Sequence, residues 1–267
     1  MGTSLRRRRG AACAAAALSA LVLSACLPGD GGDEESTGGA TSSSSTKAEP
    51  SGGTGEGGGD APTPYEADEF TEPQQRELTS QEAKKALPTR ADMPDKNYVK
   101  DISDQDGEPW TYDPKECAAV EFASESARSF SDKHRSVREY ARFGQSQADG
   151  GKFLGVWLHS YDEPYPLAYF DEAGKSLSEC GKFTSISPRG HEFPKKTQAI
   201  SAPQVDDAER TFAVRIIGGR VNTDRLYVRS GHNQITVMQQ TPSDEPFDER
   251  LLTKHAEAVL ADLKKGS

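Results

Sequence analysis

Little in this chain could fill two large cores. Only 34 % of its 267 residues are hydrophobic, and the first quarter is almost all small or acidic, so one packed domain is expected downstream of it. The part able to fold has no cluster of Lys or Arg, which excludes nucleic acid as a partner, because affinity for phosphate backbones needs grouped cations. No apolar run is long enough to span a bilayer. Local catalytic signatures are absent too: there is no G-x-S-x-G elbow, no S-x-x-K and no H-E-x-x-H. His134, His159, His191, His232 and His255 are scattered, which leaves zinc without a local ligand set. Ala173-Gly174-Lys175-Ser176 fails as a phosphate loop, since the first glycine of that motif would fall at Tyr169. Asp104, Asp106, Gly107 and Asp113 fit four positions of a calcium loop, but its first position is Ile102 and its twelfth an Asp; a solvated acidic turn is the better reading. No metal and no cofactor is therefore expected, and no enzyme, although an active site assembled from distant residues leaves no local motif.

What is present is strongly polarised along the chain. The formal net charge is -10. Arg6 to Arg9 stand alone as four cations before Cys26, residues 27–75 hold eleven acids against Lys47, and from Arg76 onward 27 bases meet 31 acids. The four arginines and the apolar Ala11 to Leu23 have the lengths of a secretory signal. That stretch ends in Leu23-Ser24-Ala25-Cys26, which resembles the lipobox of bacterial lipoproteins. The resemblance implies cleavage after Ala25, lipidation of Cys26 and an anchor in the cell membrane on its extracytoplasmic side, two acyl chains holding where one is only marginal. The arginines leave the export route open between the general secretory and twin-arginine pathways. Residues 27–75 carry almost nothing to bury and read as a disordered acidic tether, with a reach of roughly 35 to 40 Å for about fifty Gly-rich residues.

The remainder, residues 76–267, alternates between two periods. Thr79-Ser80-Gln81-Glu82 forms a capping box opening a short helix. Asp113-Pro114-Lys115-Glu116 repeats that logic, and Cys117, Val120, Ala123, Ala127 and Phe130 recur at three- and four-residue spacing behind it. Phe170, Ala173, Leu177 and Cys180 mark a third helix, and residues 245–264 a terminal one. Cys117 and Cys180 thus lie on two apolar helix faces, and in an exported chain such a pair is most simply a disulfide, worth roughly 4 kcal/mol for a loop of this length. Period two appears at Phe153 to Tyr161, Phe212 to Ile216, Arg225 to Arg229 and Ile235 to Met238, with a further strand at Arg138 to Gln145. The fold class expected is α+β, an antiparallel sheet with helices on one face.

The stretches "LTSQEAKKALPTRADMPDK", "PKECAAVEF", "YDEPYPLAYFDEAGKSLSECGKF" and "RLYVRSGHNQITVM" resemble the extracellular sensor domains of actinobacterial membrane-bound serine/threonine kinases and the related domains of actinobacterial lipoproteins. The resemblance covers roughly Leu78 to Leu263 and implies a helix-decorated antiparallel sheet with a cleft, disulfide support and a ligand-sensing role. Two cysteines allow less cross-linking than the kinase domains carry, and neither kinase nor spanning helix accompanies the domain.

Strand parity nominates a site. If Leu154, Val156, Phe212, Val214, Leu226, Val228, Ile235 and Val237 face the helices, the other face carries Trp157, His159, Tyr161, Arg215, Tyr227, Arg229 and Met238. Such an aromatic and cationic surface suits an envelope ligand or a surface protein. The competing reading is that Lys182 to Asp207 folds over this face and buries it. Two function classes stay in play: a non-catalytic ligand- or protein-binding module, and a cell-envelope hydrolase.

Overall fold

Among the described residues every strand joins a single sheet. In the computed structural model, residues 70–101, 109–146 and 151–266 are described. The signal, Cys26, residues 27–69 and the acidic turn at 102–108 lie outside them. The described residues form nine strands: β1 (Val99–Lys100), β2 (Thr111–Asp113), β3 (Arg135–Gly144), β4 (Phe153–Tyr161), β5 (Lys182–Ile186), β6 (Glu192–Ala199), β7 (Arg210–Gly218), β8 (Val221–Ser230) and β9 (Asn233–Pro242). Four α-helices accompany them: α1 (Ser80–Ala86), α2 (Glu125–His134), α3 (Ala168–Glu179) and α4 (Glu249–Lys265). All pairings are antiparallel, in the order β1-β3-β4-β9-β8-β7-β6-β5-β2. The α+β class and the antiparallel sheet are as the periodicity predicts.

Local chemistry sets the element ends. The capping box at α1 forms: the Glu82 backbone donates to Thr79 Oγ1 at 3.3 Å, and the Thr79 backbone donates to Glu82 Oε2 at 2.8 Å. Between β8 and β9 the tight turn needs Gly231, whose φ is +55° and whose added Cβ would lie 2.2 Å from the Gln75 carbonyl oxygen. That close approach exists because residues 70–75, assigned by composition to the tether, pack against this turn. The His232 backbone donates to Gln75 O at 2.7 Å, and Asn233 Nδ2 donates to Gln74 O at 2.8 Å.

Helices cover both faces of the sheet, which corrects the expected single face. One core joins α1 and α4 to β3, β4, β8 and β9 through Leu154, Val156, Leu226, Val237, Leu252 and Val259. The other joins Cys117, Val120, Phe170 and Ala173 to Phe212, Val214, Ile216 and Tyr227 on the opposite face. The reason is a phase error in β7: Ala213 pairs with Leu226 and Phe212 with Tyr227, and directly paired residues share a face. Strand β7 is buried on both sides, Phe212, Val214 and Ile216 on one and Ala213 with Arg215 on the other, so alternation alone could not say which helical layer its more apolar side meets.

Two further expectations change. The helix predicted behind Asp113-Pro114 is a 3-10 helix, Lys115–Glu121, ending at Phe122 in the left-handed region with φ 53°; α2 then starts anew, capped by Ser124. And Lys182 to Asp207 forms no lid: it supplies β5 and β6, which extend the sheet. The disulfide between Cys117 and Cys180 is present, Cα atoms 5.5 Å apart, tying the 3-10 helix to the end of α3.

Candidate functional site

Between the end of the 3-10 helix and strands β4, β9 and β8 lies a cavity of about 310 Å3. Its floor follows from sheet register. Across β8, β9 and β4, Arg225 pairs with Met238 and Met238 with Gly155; the next row on this face is Tyr227, Thr236 and Trp157, and the next Arg229, Gln234 and His159. Its roof is Glu121 and Phe122, and Ser131 of α2, Tyr165 and Arg138 complete the wall.

Of the seven residues that parity nominates, four line this cavity: Trp157, His159, Tyr227 and Met238. Gly155 explains the Trp157 pose, since a Cβ there would meet the indole Cη2 at 2.4 Å. The ring therefore lies back over the β4 backbone, in space that only glycine leaves free. Tyr227 stacks on Phe122, ring centroids 4.2 Å apart.

The other three have structural work. Tyr161 is fully buried; its hydroxyl donates to Gln234 Oε1 at 3.4 Å and its ring packs against Phe130 and Tyr165. Arg229 is 3 % exposed, pairs with Glu209, donates from Nε to the Tyr165 carbonyl at 2.5 Å and lies over the Phe70 ring. Arg215 is on the wrong face altogether. It shares the α4 side with Ala213 and makes a two-pronged bond to the buried Asp224 carboxylate at 2.6 and 2.8 Å. As ligand-binding candidates, Tyr161, Arg215 and Arg229 are corrected to core residues.

Arg225, Glu121 and Phe122 were not nominated. Arg225 has the parity of Tyr227 and could have been read from the strand, whereas Glu121 and Phe122 arrive through the left-handed break that sequence did not reveal. Arg225 donates to Glu121 Oε2 at 2.7 Å and to the Tyr227 hydroxyl at 3.1 Å. Its Nε, like His159 Nε2, is buried without a hydrogen-bond partner among the described residues.

Burial, aided by the nearby positive charges of Arg135 and Arg138, lowers the His159 pKa to about 3. The ring is therefore neutral at physiological pH, with one nitrogen donor and one acceptor. Burial also raises the Tyr227 and Tyr165 phenols, so both keep their protons. The single carboxylate that the described residues bring to the cavity, Glu121, is committed to Arg225. Among the described residues no group of three His, Cys, Asp or Glu could hold a metal ion, and no helix is long and apolar enough to cross a membrane.

No protein-family model matches the chain, and no curated protein matches it. Among solved structures it is similar to the extracellular domain of PknH from Mycobacterium tuberculosis, at 9 % identity and a TM-score of 0.53, covering 72 % of this chain and 99 % of that one. It is also matched to an uncharacterized protein, an Rv0999 ortholog, from Mycobacterium smegmatis, at 15 % identity and a TM-score of 0.39, with the same coverage of 72 % and 99 %. The first likeness is one of fold, in agreement with the sensor-domain resemblance of the sequence; fold alone does not carry function.

Proposed function

We propose that this chain is a lipid-anchored extracytoplasmic lipoprotein that displays a non-catalytic, sensor-like domain, and that the cavity under Phe122 is its ligand site. The observation that carries the reading is the combination at one place of Trp157, Met238 and Phe122 with two buried, unpartnered nitrogens, on His159 and Arg225. An apolar hollow with a few convergent polar groups is the common form of a small-molecule site. The resemblance to kinase sensor domains, and a fold shared with the extracellular domain of a mycobacterial protein, support an outward-facing role. A hydrolase finds less support, because among the described residues the one carboxylate lining the cavity, Glu121, is held in an ion pair.

Two experiments test the halves separately. Fractionation of cells should find the native chain with the membrane and the Cys26→Ala chain released from it; equal membrane association of both would remove the anchor. For the site, the full chain carrying Cys26→Ser and Trp110→Phe leaves Trp157 as the only described indole. Titrating it with a mixed panel of small aromatic and aliphatic fragments should shift Trp157 emission for some of them. A panel in which no fragment does so would sink the ligand site.

A further inference from the structure

Among the described residues, every ionisable group that lines the cavity is paired, neutral or engaged. Arg225 donates from Nη1 to Glu121 Oε2 at 2.7 Å. His159 is neutral, and the Tyr227 and Tyr165 phenols keep their protons. Arg138 of the wall is exposed to water and already engaged with a group of its own. Arg135 and Lys195, whose charges reach His159 and Arg225, do not line the cavity. An entering ion would therefore shed its water without meeting an unpaired opposite charge, which is costly at low dielectric. Hydrogen bonding is what the cavity leaves open: Arg225 Nε and His159 Nε2 are buried without partners among the described residues. The arginine nitrogen can only donate, whereas a nitrogen of a neutral imidazole donates or accepts according to tautomer.

We infer that the site selects an uncharged amphipath: a ring or short hydrocarbon body against Trp157 and Met238, ending in an amide whose carbonyl oxygen accepts from Arg225 Nε. This rests on the cavity being the ligand site. An amide answers both nitrogens, since its oxygen takes the Arg225 hydrogen, and its N–H or its second lone pair meets His159 in either tautomer. A carboxylate supplies the same acceptors but brings an uncompensated charge, and an ammonium brings a charge and no acceptor. At protein packing density a volume of about 310 Å3 has room for roughly fifteen non-hydrogen atoms. Phenylpropionamide fits that limit; a two-chain lipid does not.

The test uses three probes of one shape, phenylpropionamide, phenylpropionate and phenylpropylamine, titrated into the full chain carrying Cys26→Ser and Trp110→Phe, with Trp157 emission as the readout. The amide should bind tighter than the acid and the amine by about tenfold or more. Adding Glu121→Gln strands the Arg225 charge, so the carboxylate of the acid can replace the lost partner and the order of acid and amide should reverse. If the acid or the amine binds the parent as tightly as the amide, the uncharged assignment is wrong while the ligand site stands. An unchanged preference for the amide in folded Glu121→Gln would overturn the assignment too, because the closed ion pair would not be what sets the choice. The parent series decides by itself should that variant fail to fold. If none of the three probes perturbs Trp157, ligand site and assignment fall together.

Discussion

Removing the Cys117–Cys180 bond should cost this domain a large share of its stability and loosen the cavity roof at the same time. The two cysteines are 63 residues apart in sequence, and the loop-entropy relation gives about 4 kcal/mol for a closure of that length. Domains of this kind hold only about 5 to 15 kcal/mol in total. Both cysteines are 1 % exposed within the second core, so Cys117→Ala with Cys180→Ala also removes sulfur that packs against apolar neighbours. The measurement is equilibrium urea unfolding of the full chain carrying Cys26→Ser, with and without the cysteine pair. The midpoint should fall by an amount corresponding to about 4 kcal/mol. Glu121 and Phe122 follow Cys117 closely on the same 3-10 helix and its cap, so Trp157 emission should become more water-like even below the unfolding transition. A loss under about 1 kcal/mol would mean that the helices are held by packing alone, and that the entropic argument does not apply to this chain.

Three other perturbations probe the reassigned residues. Asp224→Ala strands the Arg215 guanidinium in the α4 core and should destabilise the domain by about 3 to 5 kcal/mol; adding Arg215→Met should recover most of that loss in urea unfolding, and a single variant as stable as the parent would refute a core role. His159 titrates near 3 when folded against an ordinary 6.5, so the unfolded chain binds the extra proton and stability falls as pH drops below 6.5. At pH 5 this removes about 1 to 2 kcal/mol, and His159→Phe should flatten that part of the pH profile; an unchanged slope would show a ring protonated in the fold. Gly155→Ala forces the indole off the β4 backbone, at a cost of about 1 to 3 kcal/mol, and should change Trp157 emission with Trp110→Phe present; an identical spectrum would contradict the pose described.

Much of the fold was legible because one physical signal, alternation, is strong where one strand face is apolar and the other is not. Strands β4, β8 and β9 show this, and Leu226, Val228, Ile235 and Val237 fall on the core face that parity assigned. Capping chemistry was equally local, so α1 begins where Thr79 and Glu82 require. The disulfide was legible because its two cysteines recur with apolar residues at helical spacing, and that holds although one helix proved to be 3-10. Strand β7 escaped because both of its faces are buried, Phe212, Val214 and Ile216 on one and Ala213 with Arg215 on the other, so its alternation does not say which helical layer the more apolar face meets. That one missing phase had consequences: it put Arg215 in the candidate site and hid the second helical layer. The site itself depended on a different kind of information. Trp157, His159, Tyr227 and Met238 come from parity, but what makes them a cavity rather than a surface is Phe122, placed by a left-handed residue after seven helical ones. No propensity encodes that turn, because Phe has no intrinsic preference for positive φ. It is held by its burial among Phe170, Phe212 and Tyr227, contacts that exist only once β7, β8 and α3 are already in place. The roof of the site is therefore a product of tertiary packing, which explains why the sequence pointed to the right sheet face yet could not say that it encloses space.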